Sequence, residues 1–232
     1  MAKPAAAADQ STEQFLRDVI QKRFAVASVD GISKLPYLDL YEVRIGKELV
    51  YIDPKGEHLI IGNIIDARSG ENLTRTRADE FANAALPKVK FSALPLASAI
   101  KIVKGNGKRQ LVVFADPNCV YCKRFEQTAL AQTSDITVYV FLIPILGPDS
   151  VDKAKALWCV SDKARAWQDW MVNGVMPPVT NSVNCSSPID KNLALARNLR
   201  VDATPTLLFA NGKRVAGAIR GDDLGRLLSQ AN

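Results

Sequence analysis

The 232-residue chain carries 30 basic and 24 acidic residues, a formal net charge of +6, and its composition is 47% hydrophobic and 7% aromatic. These proportions are those of an ordinary globular protein, and they exclude a disordered, collagen-like or coiled-coil chain. No apolar run is long enough to cross a bilayer, and the basic residues are scattered, so we expect neither an integral membrane protein nor a nucleic-acid-binding protein.

The N-terminal part of the sequence predicts a tail followed by a small α+β domain. Residues 1–10 are too few and too poor in large apolar side chains for a signal peptide, so we expect either a cytosolic chain or a mature chain whose leader has been removed. Apolar residues recur at helical spacing over 11–24 and predict an amphipathic helix. Alternating segments then predict an antiparallel meander: Leu38 to Ile45, Glu48 to Ile52 and His58 to Ile65. We place this domain at 11–77 and expect its strand edges to pair with a second copy of the chain.

A linker and a second domain follow. Residues 78–108 are predicted to be helical in pieces, because Pro87 and Pro95 interrupt the pattern. The second domain, over 109–232, opens with the continuous apolar run Gln110 to Phe114, which is typical of a central strand covered on both faces. Its elements follow the order β-α-β, helical insertion, β-β-α. This order predicts an α/β fold with a thioredoxin-type sheet.

Cys119 and Cys122 form a Cys-x-x-Cys motif directly after that buried strand and at the start of a predicted helix. Free backbone N–H groups and the helix dipole favour negative charge at a helix N-terminus. They are expected to lower the pKa of the first thiol from near 8.5 into the range of about 3.5–7.5. The second thiol, one helical turn away, can close a small disulfide. We therefore expect Cys119 to attack a substrate disulfide and Cys122 to resolve the mixed disulfide.

Zinc binding is the main alternative for these thiols, and inert burial is another. A zinc site would need Cys159 and Cys185 as its remaining ligands, since His58 is the only histidine and lies far upstream. The strand–Cys-x-x-Cys–helix context favours redox chemistry. We expect neither a metal nor a cofactor, and we interpret His58 as an ordinary strand residue.

Thr204 and Pro205 immediately precede a predicted strand. A proline that enters a central strand removes a hydrogen-bond donor, and a cis peptide bond in a tight turn is one way to accommodate it. In a thioredoxin sheet this turn abuts the Cys-x-x-Cys loop, where its backbone can pair with an extended substrate. A trans proline that begins the strand is equally compatible with the spacing.

Cys159 and Cys185 form a widely spaced pair in the same domain. We expect a structural disulfide rather than two free thiols, worth about 3.5 kcal/mol if it restricts the unfolded chain. Such a bond persists only in an oxidising compartment, so the prediction favours the periplasm and a mature chain without its leader.

The run Phe114-Ala115-Asp116-Pro117-Asn118-Cys119-Val120-Tyr121-Cys122, with Thr204-Pro205 downstream, resembles the bacterial periplasmic disulfide isomerases of the DsbC and DsbG group. The resemblance extends over nearly the whole chain. Trp158-Cys159 and Cys185 match the family's second, structural disulfide, and Leu49 to Asp53 and His58 to Gly62 resemble strands of its N-terminal domain. It implies a thioredoxin-like catalytic domain with a helical insertion, preceded by a small α+β (cystatin-like) dimerisation domain and a connector helix.

The same resemblance implies residue roles and partners. Cys119 is the nucleophile, Cys122 the resolving thiol, and Thr204-Pro205 the cis-proline turn that binds substrate. Val120 and Tyr121 lie between the cysteines, where the family typically has Gly-Tyr or Pro-Tyr, and are expected to contact substrate and tune the redox potential. The implied assembly is a V-shaped homodimer that binds misfolded, disulfide-containing secreted proteins and is reduced by a membrane thiol donor similar to DsbD.

The leading hypothesis is therefore a periplasmic thiol-disulfide isomerase and reductase, with chaperone activity. A second hypothesis on the same fold is a reductant of oxidised cysteines similar to DsbG, or a dimeric thiol oxidase. A third, from a different class, is a chaperone that binds unfolded chains without using its thiols.

Overall fold

The computed structural model describes residues 10–24, 28–177 and 185–231. The chain divides into two compact units, residues 1–85 and 86–232. The predicted tail over 1–10 lies outside the described residues except for Gln10. Among the residues described, no helix has both the length and the apolar character that crossing a membrane requires.

The first unit is a four-stranded antiparallel sheet, preceded in the sequence by one helix and followed by another. Its elements are α1 (Gln10–Phe24), β1 (Gly31–Lys34), β2 (Tyr41–Ile45), β3 (Glu48–Ile52), β4 (Leu59–Ile60) and α2 (Leu73–Ala84). The strands follow the order β1-β2-β3-β4. Leu16 and Ile20 on α1 are fully buried against sheet residues such as Val43, which accounts for the amphipathic pattern of this helix.

Two of the strands predicted in this unit are shorter in the structure. The segment predicted from Leu38 begins only at Tyr41, because Leu38 and Asp39 adopt φ of 62° and 43°, which strands do not tolerate. The segment predicted from His58 to Ile65 is a strand only at β4, and β1 was not predicted. His58 itself lies just before β4 and is exposed.

Helix α2 packs against the first sheet. Asn72 caps its N-terminus by accepting the backbone N–H of Arg75. Arg77 pairs with the buried Glu42 at 3.1 Å, and its guanidinium lies 4.6 Å from the centre of the Phe81 ring. The helix therefore crosses the predicted boundary at 77/78 and belongs to the first unit.

The second unit is built around a five-stranded mixed sheet. Its elements are β5 (Ile100–Lys104), β6 (Arg109–Ala115), α3 (Val120–Phe125), β7 (Ile136–Leu142), α4 (Pro148–Trp158), α5 (Lys163–Gln168), α6 (Ile189–Asn198), β8 (Thr206–Phe209), β9 (Arg214–Ala216) and α7 (Gly221–Gln230). π-Helical turns at Glu126–Leu130 and Asp169–Asn173 extend α3 and α5. The strand order is β5-β7-β6-β8-β9, with only β6 and β7 parallel. The predicted thioredoxin-like α/β architecture is confirmed.

The central strand β6 supplies both faces of the core, as its continuous apolar run predicts. Leu111 and Val113 pack into one hydrophobic cluster together with residues of α3, the helix that carries Cys122. Val112 and Phe114 point into a second cluster on the opposite face, which includes Ala196 of α6. Because both faces of β6 are buried, its C-terminal end is fixed in position. The Cys-x-x-Cys motif follows directly after this end.

The helical linker predicted over 78–108 is only partly helical. After α2 the chain forms short 3₁₀ turns at Phe91–Ala93 and Leu96–Ser98 and then becomes strand β5. Ile100 and Ile102 are buried while Lys101 between them is exposed, the period-two pattern of an edge strand. The five-stranded sheet therefore begins at Ile100 rather than after residue 108.

Candidate active site

The two cysteines of the Cys-x-x-Cys motif lie at the junction of β6 and α3. β6 ends at Ala115, and Cys119 is the N-cap residue of α3 with extended backbone angles. Its sulfur accepts the backbone N–H of Cys122 at 3.1 Å, the position that an N-cap oxygen takes in other helices. Both side chains are buried, with 4% of Cys119 and 1% of Cys122 exposed.

The surroundings of Cys119 stabilise its thiolate. Hydrogen bonds lower the pKa of Cys119 from 9.0 to about 6, first that from the Cys122 thiol and then those from the Thr204 side chain and the backbone N–H groups of Cys122 and Tyr121. Burial opposes them, because it disfavours the charged form. Cys119 is therefore mostly a thiolate at neutral pH.

Cys122 has the opposite character. Burial raises the pKa of Cys122, and the adjacent Cys119 raises it further through its hydrogen bond and its negative charge. Cys122 therefore keeps its proton and donates a hydrogen bond to the Cys119 sulfur. This asymmetry gives one nucleophilic sulfur at the N-terminus of α3 and one protonated sulfur within its first turn.

The Thr204–Pro205 turn lies directly beside Cys119. Its peptide bond is cis, and the carbonyl oxygen of Thr204 is 3.2 Å from the Cys119 sulfur. The register of the sheet explains this contact, since Thr206 at the start of β8 pairs with Phe114 near the end of β6. Residues that are 85 positions apart in sequence thus meet at the nucleophile.

A buried carboxylate, which sequence reasoning missed, holds the segment between β6 and Cys119. Asp116 is fully buried, and its oxygens accept the backbone N–H groups of Asn118, Ile145 and Leu146 at 2.7, 2.7 and 2.9 Å. The Ser150 hydroxyl donates a fourth hydrogen bond at 2.8 Å. In the sequence Asp116 only indicated the end of a strand, because three of its four partners follow about thirty positions later.

Trp170 supports the same segment from the π-helical turn after α5. Its indole N–H donates to the Pro117 carbonyl at 2.7 Å, and the ammonium groups of Lys123 and Lys153 lie 4.0 and 4.9 Å from the ring centre. The indole is half-buried. The side chain thus lies beside the motif, and it positions the backbone that leads into Cys119.

The two residues between the cysteines form an exposed apolar surface. Val120 is 74% exposed and Tyr121 63% exposed, because they occupy the outer face of the first turn of α3. Ile145 and Leu146, whose backbone is fixed by Asp116, are 42% and 55% exposed. We call these four residues the apolar rim. Exposed apolar side chains of this kind are typical of a surface that contacts another polypeptide.

The structure joins Cys159 and Cys185 in a disulfide. The bond connects the C-terminal end of α4 with the segment that precedes α6, across a sequence separation of 26. With both of these sulfurs engaged, the four-cysteine zinc site considered above is not formed. The described residues do include a group of three potential metal ligands, Asp53, Glu57 and His58, in the first unit.

Glu126 is a second buried acid that sequence reasoning missed. It follows Cys122 by one helical turn and is 6% exposed, and its carboxylate accepts the indole N–H of Trp167 at 2.7 Å. Burial raises the pKa of Glu126 from 4.5 to about 7. The signal in the sequence was a lone carboxylate on the apolar face that continues with Ala129 and Leu130.

Comparison with known proteins matches both units to described domains. Residues 96–232 match the thioredoxin-like domain family, and residues 3–75 match the N-terminal domain of disulfide bond isomerase proteins. The probable thiol:disulfide interchange protein DsbC of Bordetella pertussis is 44% identical over 89% of this chain and 72% of its own length. DsbC of Escherichia coli K12 is 30% identical over 80% of this chain and 75% of its own length.

A solved structure agrees with the sequence relatives. The crystal structure of a disulfide interchange protein from Neisseria gonorrhoeae superposes with a TM-score of 0.55 at 38% identity, and it covers 60% of this chain and 98% of the other. The matched domains, the relatives and the paired cysteines at the start of α3 lead to one assignment. The chain belongs to the DsbC family of thiol:disulfide interchange enzymes.

Proposed function

We propose that the protein is a thiol-disulfide isomerase and reductase that corrects disulfides in secreted proteins. The observation that carries this proposal is the pair of unlike sulfurs. Cys119 is held as a thiolate by hydrogen bonds at the N-terminus of α3, while Cys122 is held as a thiol behind it. A nucleophilic thiolate and a protonated resolving thiol in hydrogen-bond contact are what disulfide exchange requires.

The reaction follows from this asymmetry. The Cys119 thiolate attacks one sulfur of a client disulfide, the client S–S bond breaks, and the other client sulfur leaves as a thiolate. The resulting mixed disulfide is then attacked by that client thiolate or by another one, which gives isomerisation. Alternatively, Cys122 loses its proton and attacks the Cys119 sulfur, which releases the client reduced and leaves a Cys119–Cys122 disulfide.

The surface around Cys119 supports an unfolded client. The apolar rim offers exposed Val120, Tyr121 and Leu146 to apolar side chains. In this proposal the backbone of Thr204-Pro205 pairs with an extended client segment, which brings a client disulfide within reach of the Cys119 sulfur. No particular client sequence is required by such contacts, as expected of an enzyme that acts on many misfolded proteins.

The proposal includes a periplasmic homodimer. The Cys159–Cys185 disulfide supports an oxidising compartment. The sheet of the first unit ends in β4, a two-residue edge strand followed by Ile61, which is 79% exposed, and this edge supports pairing with a second copy. The first unit then acts as the dimerisation domain and the second as the catalytic domain. Reduction by a membrane thiol donor similar to DsbD would return Cys119 and Cys122 to their dithiol form.

A refolding assay tests this function. Ribonuclease A with scrambled disulfides should regain activity with the reduced wild-type protein and not with Cys119→Ala. Cys122→Ala should accumulate a mixed disulfide with the client, visible on a non-reducing gel and absent from the Cys119→Ala, Cys122→Ala double variant. If Cys119→Ala refolds the client as well as the wild type does, the protein is a chaperone that does not use its thiols.

A further inference from the structure

The resolving step needs a proton acceptor, and the described part of the second unit has two buried carboxylates that the exchange reaction has not used. That of Asp116 already accepts four hydrogen bonds, whereas that of Glu126 accepts one, from Trp167. Cys122 is 1% exposed and its pKa is raised, so the proton that it must lose has little direct access to bulk water. Cys119 is not available as the acceptor in the mixed disulfide, because its sulfur is then bonded to the client. Another base near Cys122 is therefore required.

Glu126 lies one helical turn beyond Cys122. Its backbone N–H bonds to the carbonyl oxygens of Cys122 and Lys123, so the helix passes without interruption from the thiol to the carboxylate. Residues four positions apart share one face of a helix. Both side chains are buried, and this face points to the core of the second unit.

The side chains around Glu126 connect it to the same core as Cys122. The indole N–H of Trp167, on α5, donates to the carboxylate at 2.7 Å, and Trp167 belongs to the hydrophobic cluster that contains Cys122. Lys104, on β5, is the charged group whose field favours the carboxylate form, and burial lowers the pKa of Lys104 itself. Glu126 therefore holds a proton or releases it inside the core near neutral pH.

We propose that the Glu126 carboxylate accepts the proton of Cys122 when the mixed disulfide is resolved. This inference rests on the proposed exchange function. The two side chains lie one helical turn apart on the same face of the helix, and in this step the proton moves from the Cys122 sulfur to a Glu126 oxygen. The Cys122 thiolate then bonds to the Cys119 sulfur, the bond from Cys119 to the client breaks, and the client leaves as a thiolate. One S–S bond forms, one S–S bond breaks with its electron pair leaving on the client sulfur, and one proton passes to Glu126, so no further reactant is needed.

Stopped-flow kinetics with oxidised glutathione separate the two steps. When the reduced full-length protein meets excess oxidised glutathione, the concentration-dependent phase reports attack by Cys119 and the concentration-independent phase reports resolution by Cys122. In the wild type the resolution rate should rise with pH through an inflection near 7. Glu126→Gln should slow resolution at pH 7 at least tenfold and remove the inflection, while the attack phase changes less than twofold.

Trp167→Phe and Asp222→Asn are the informative companions. Trp167→Phe removes the donor to the carboxylate, which raises the pKa of Glu126, so its inflection should move to higher pH and not disappear. Asp222→Asn neutralises an exposed acid on α7 and should leave both phases as in the wild type. A structural role alone would slow both phases of Glu126→Gln without moving the inflection.

Two results overturn the inference. One is a Glu126→Gln variant that resolves at the wild-type rate with the wild-type pH profile, and the other is a loss of both phases together in a folded variant. Failure of the proposed function has a different signature, since the wild type itself would then show no attack phase.

Discussion

Cys119 and Cys122 are three positions apart, yet the helix gives them different surroundings. Cys119 lies at the N-cap, where the thiol of Cys122 and two backbone N–H groups donate to its sulfur. Cys122 lies within the first turn, where burial and the neighbouring negative charge both favour the thiol. The acidity of Cys119 therefore depends on its partner as much as on the helix terminus.

Replacement of Cys122 by alanine should make Cys119 less acidic. The hydrogen bond from the Cys122 thiol is the largest of the contributions that lower the pKa of Cys119, so its loss should raise that pKa from about 6 by about one unit or more. Thiolate absorbance at 240 nm against pH measures the change, with Cys119→Ala, Cys122→Ala as the blank. An unchanged midpoint in Cys122→Ala would assign the low pKa to the backbone N–H groups and Thr204.

Glu126 should make the folded protein less stable as the pH rises. Its pKa is about 7 in the fold against 4.5 when unperturbed, so between these values the unfolded chain ionises while the folded protein stays protonated. The stability that this proton provides is present below pH 4.5 and is lost by pH 8, on the order of 3 kcal/mol.

Urea denaturation of the wild type and Glu126→Gln at pH 5 and pH 8 measures this effect. From the lower to the higher pH, the free energy of unfolding of Glu126→Gln should gain about 3 kcal/mol relative to the wild type. Asp222→Asn again provides the comparison for an exposed acid. A difference between Glu126→Gln and the wild type that does not vary with pH would contradict a raised pKa.

At the residue scale, the sequence predicts the groups that its local pattern defines. Cys119 and Cys122 are recognisable because a buried strand precedes them and a helix follows them. Asp116 and Glu126 are not, since their roles depend on Ser150 and Trp167, which other elements bring to them. Within a single segment of sequence, a carboxylate indicates a turn or an exposed face. Only the fold shows which hydrogen-bond donors it accepts from.

At the scale of elements, helix α4 supports the segment that precedes Cys119. Ser150 on α4 donates to Asp116, and Asp149 and Ser150 accept the side-chain amide of Asn118 at 2.7 and 3.0 Å. Lys153, one turn further along α4, donates to the oxygen of the same amide at 2.9 Å. The N-terminal half of α4 thus fixes two of the three residues between β6 and Cys119.

Removal of the Ser150 hydroxyl should destabilise the protein. A buried carboxylate that loses one of four hydrogen bonds costs about 1–3 kcal/mol, so Ser150→Ala should lower the urea midpoint. Ser229→Ala removes a hydroxyl that bonds on the exposed face of α7 and should change the midpoint little. Equal midpoints for the two variants would show that the Asp116 network tolerates the loss.

Element prediction succeeded where one face or both faces are buried in a regular pattern. β6, β7, β8 and α1 follow their apolar patterns closely. β1 and β5 were missed because each is short, and an edge strand buries only alternate residues, as the pattern of β5 shows. Their partners β2 and β7 supply the hydrogen bonds that make them strands, and a segment read alone does not reveal its partner.

At the scale of the whole molecule, the two units differ in the interaction that joins distant parts of their sequence. In the catalytic unit it is the Cys159–Cys185 disulfide, and in the first unit it is the ion pair between Arg77 and the buried Glu42. The two-unit organisation followed from the change of pattern along the sequence. Its division after Ala85 did not, because α2 is attached to the first sheet by contacts with residues more than thirty positions earlier.

Loss of the structural disulfide should destabilise the catalytic unit. With a separation of 26 residues, the loop-entropy model gives a stabilisation on the order of 3.5 kcal/mol. Urea denaturation of the Cys159→Ser, Cys185→Ser double variant and of the wild type measures this stabilisation. Cys119 and Cys122 are kept reduced in both proteins. A midpoint equal to that of the wild type would mean that the bridge does not restrict the unfolded chain.

The edge of the first sheet should control the oligomeric state. Light scattering of the wild type should give twice the chain mass of 25.3 kDa. Ile61→Asp places a charge on an exposed apolar position next to β4 and should shift the mass towards one chain at micromolar concentration. Ile145→Asp, on the apolar rim, is the matched control and should remain dimeric. A single-chain mass for the wild type would remove the dimer from the proposal.

Trp158 gives the molecule an optical probe of its own covalent bridge. The residue directly precedes Cys159, and its indole N–H donates to the carbonyl of Ser186, the neighbour of Cys185, at 3.3 Å. The hydrogen bond thus joins the two residues that flank the disulfide-closed loop. Disulfides quench nearby indole fluorescence, so opening this bridge should brighten the emission of Trp158. That signal allows the redox state of the bridge to be followed without a label.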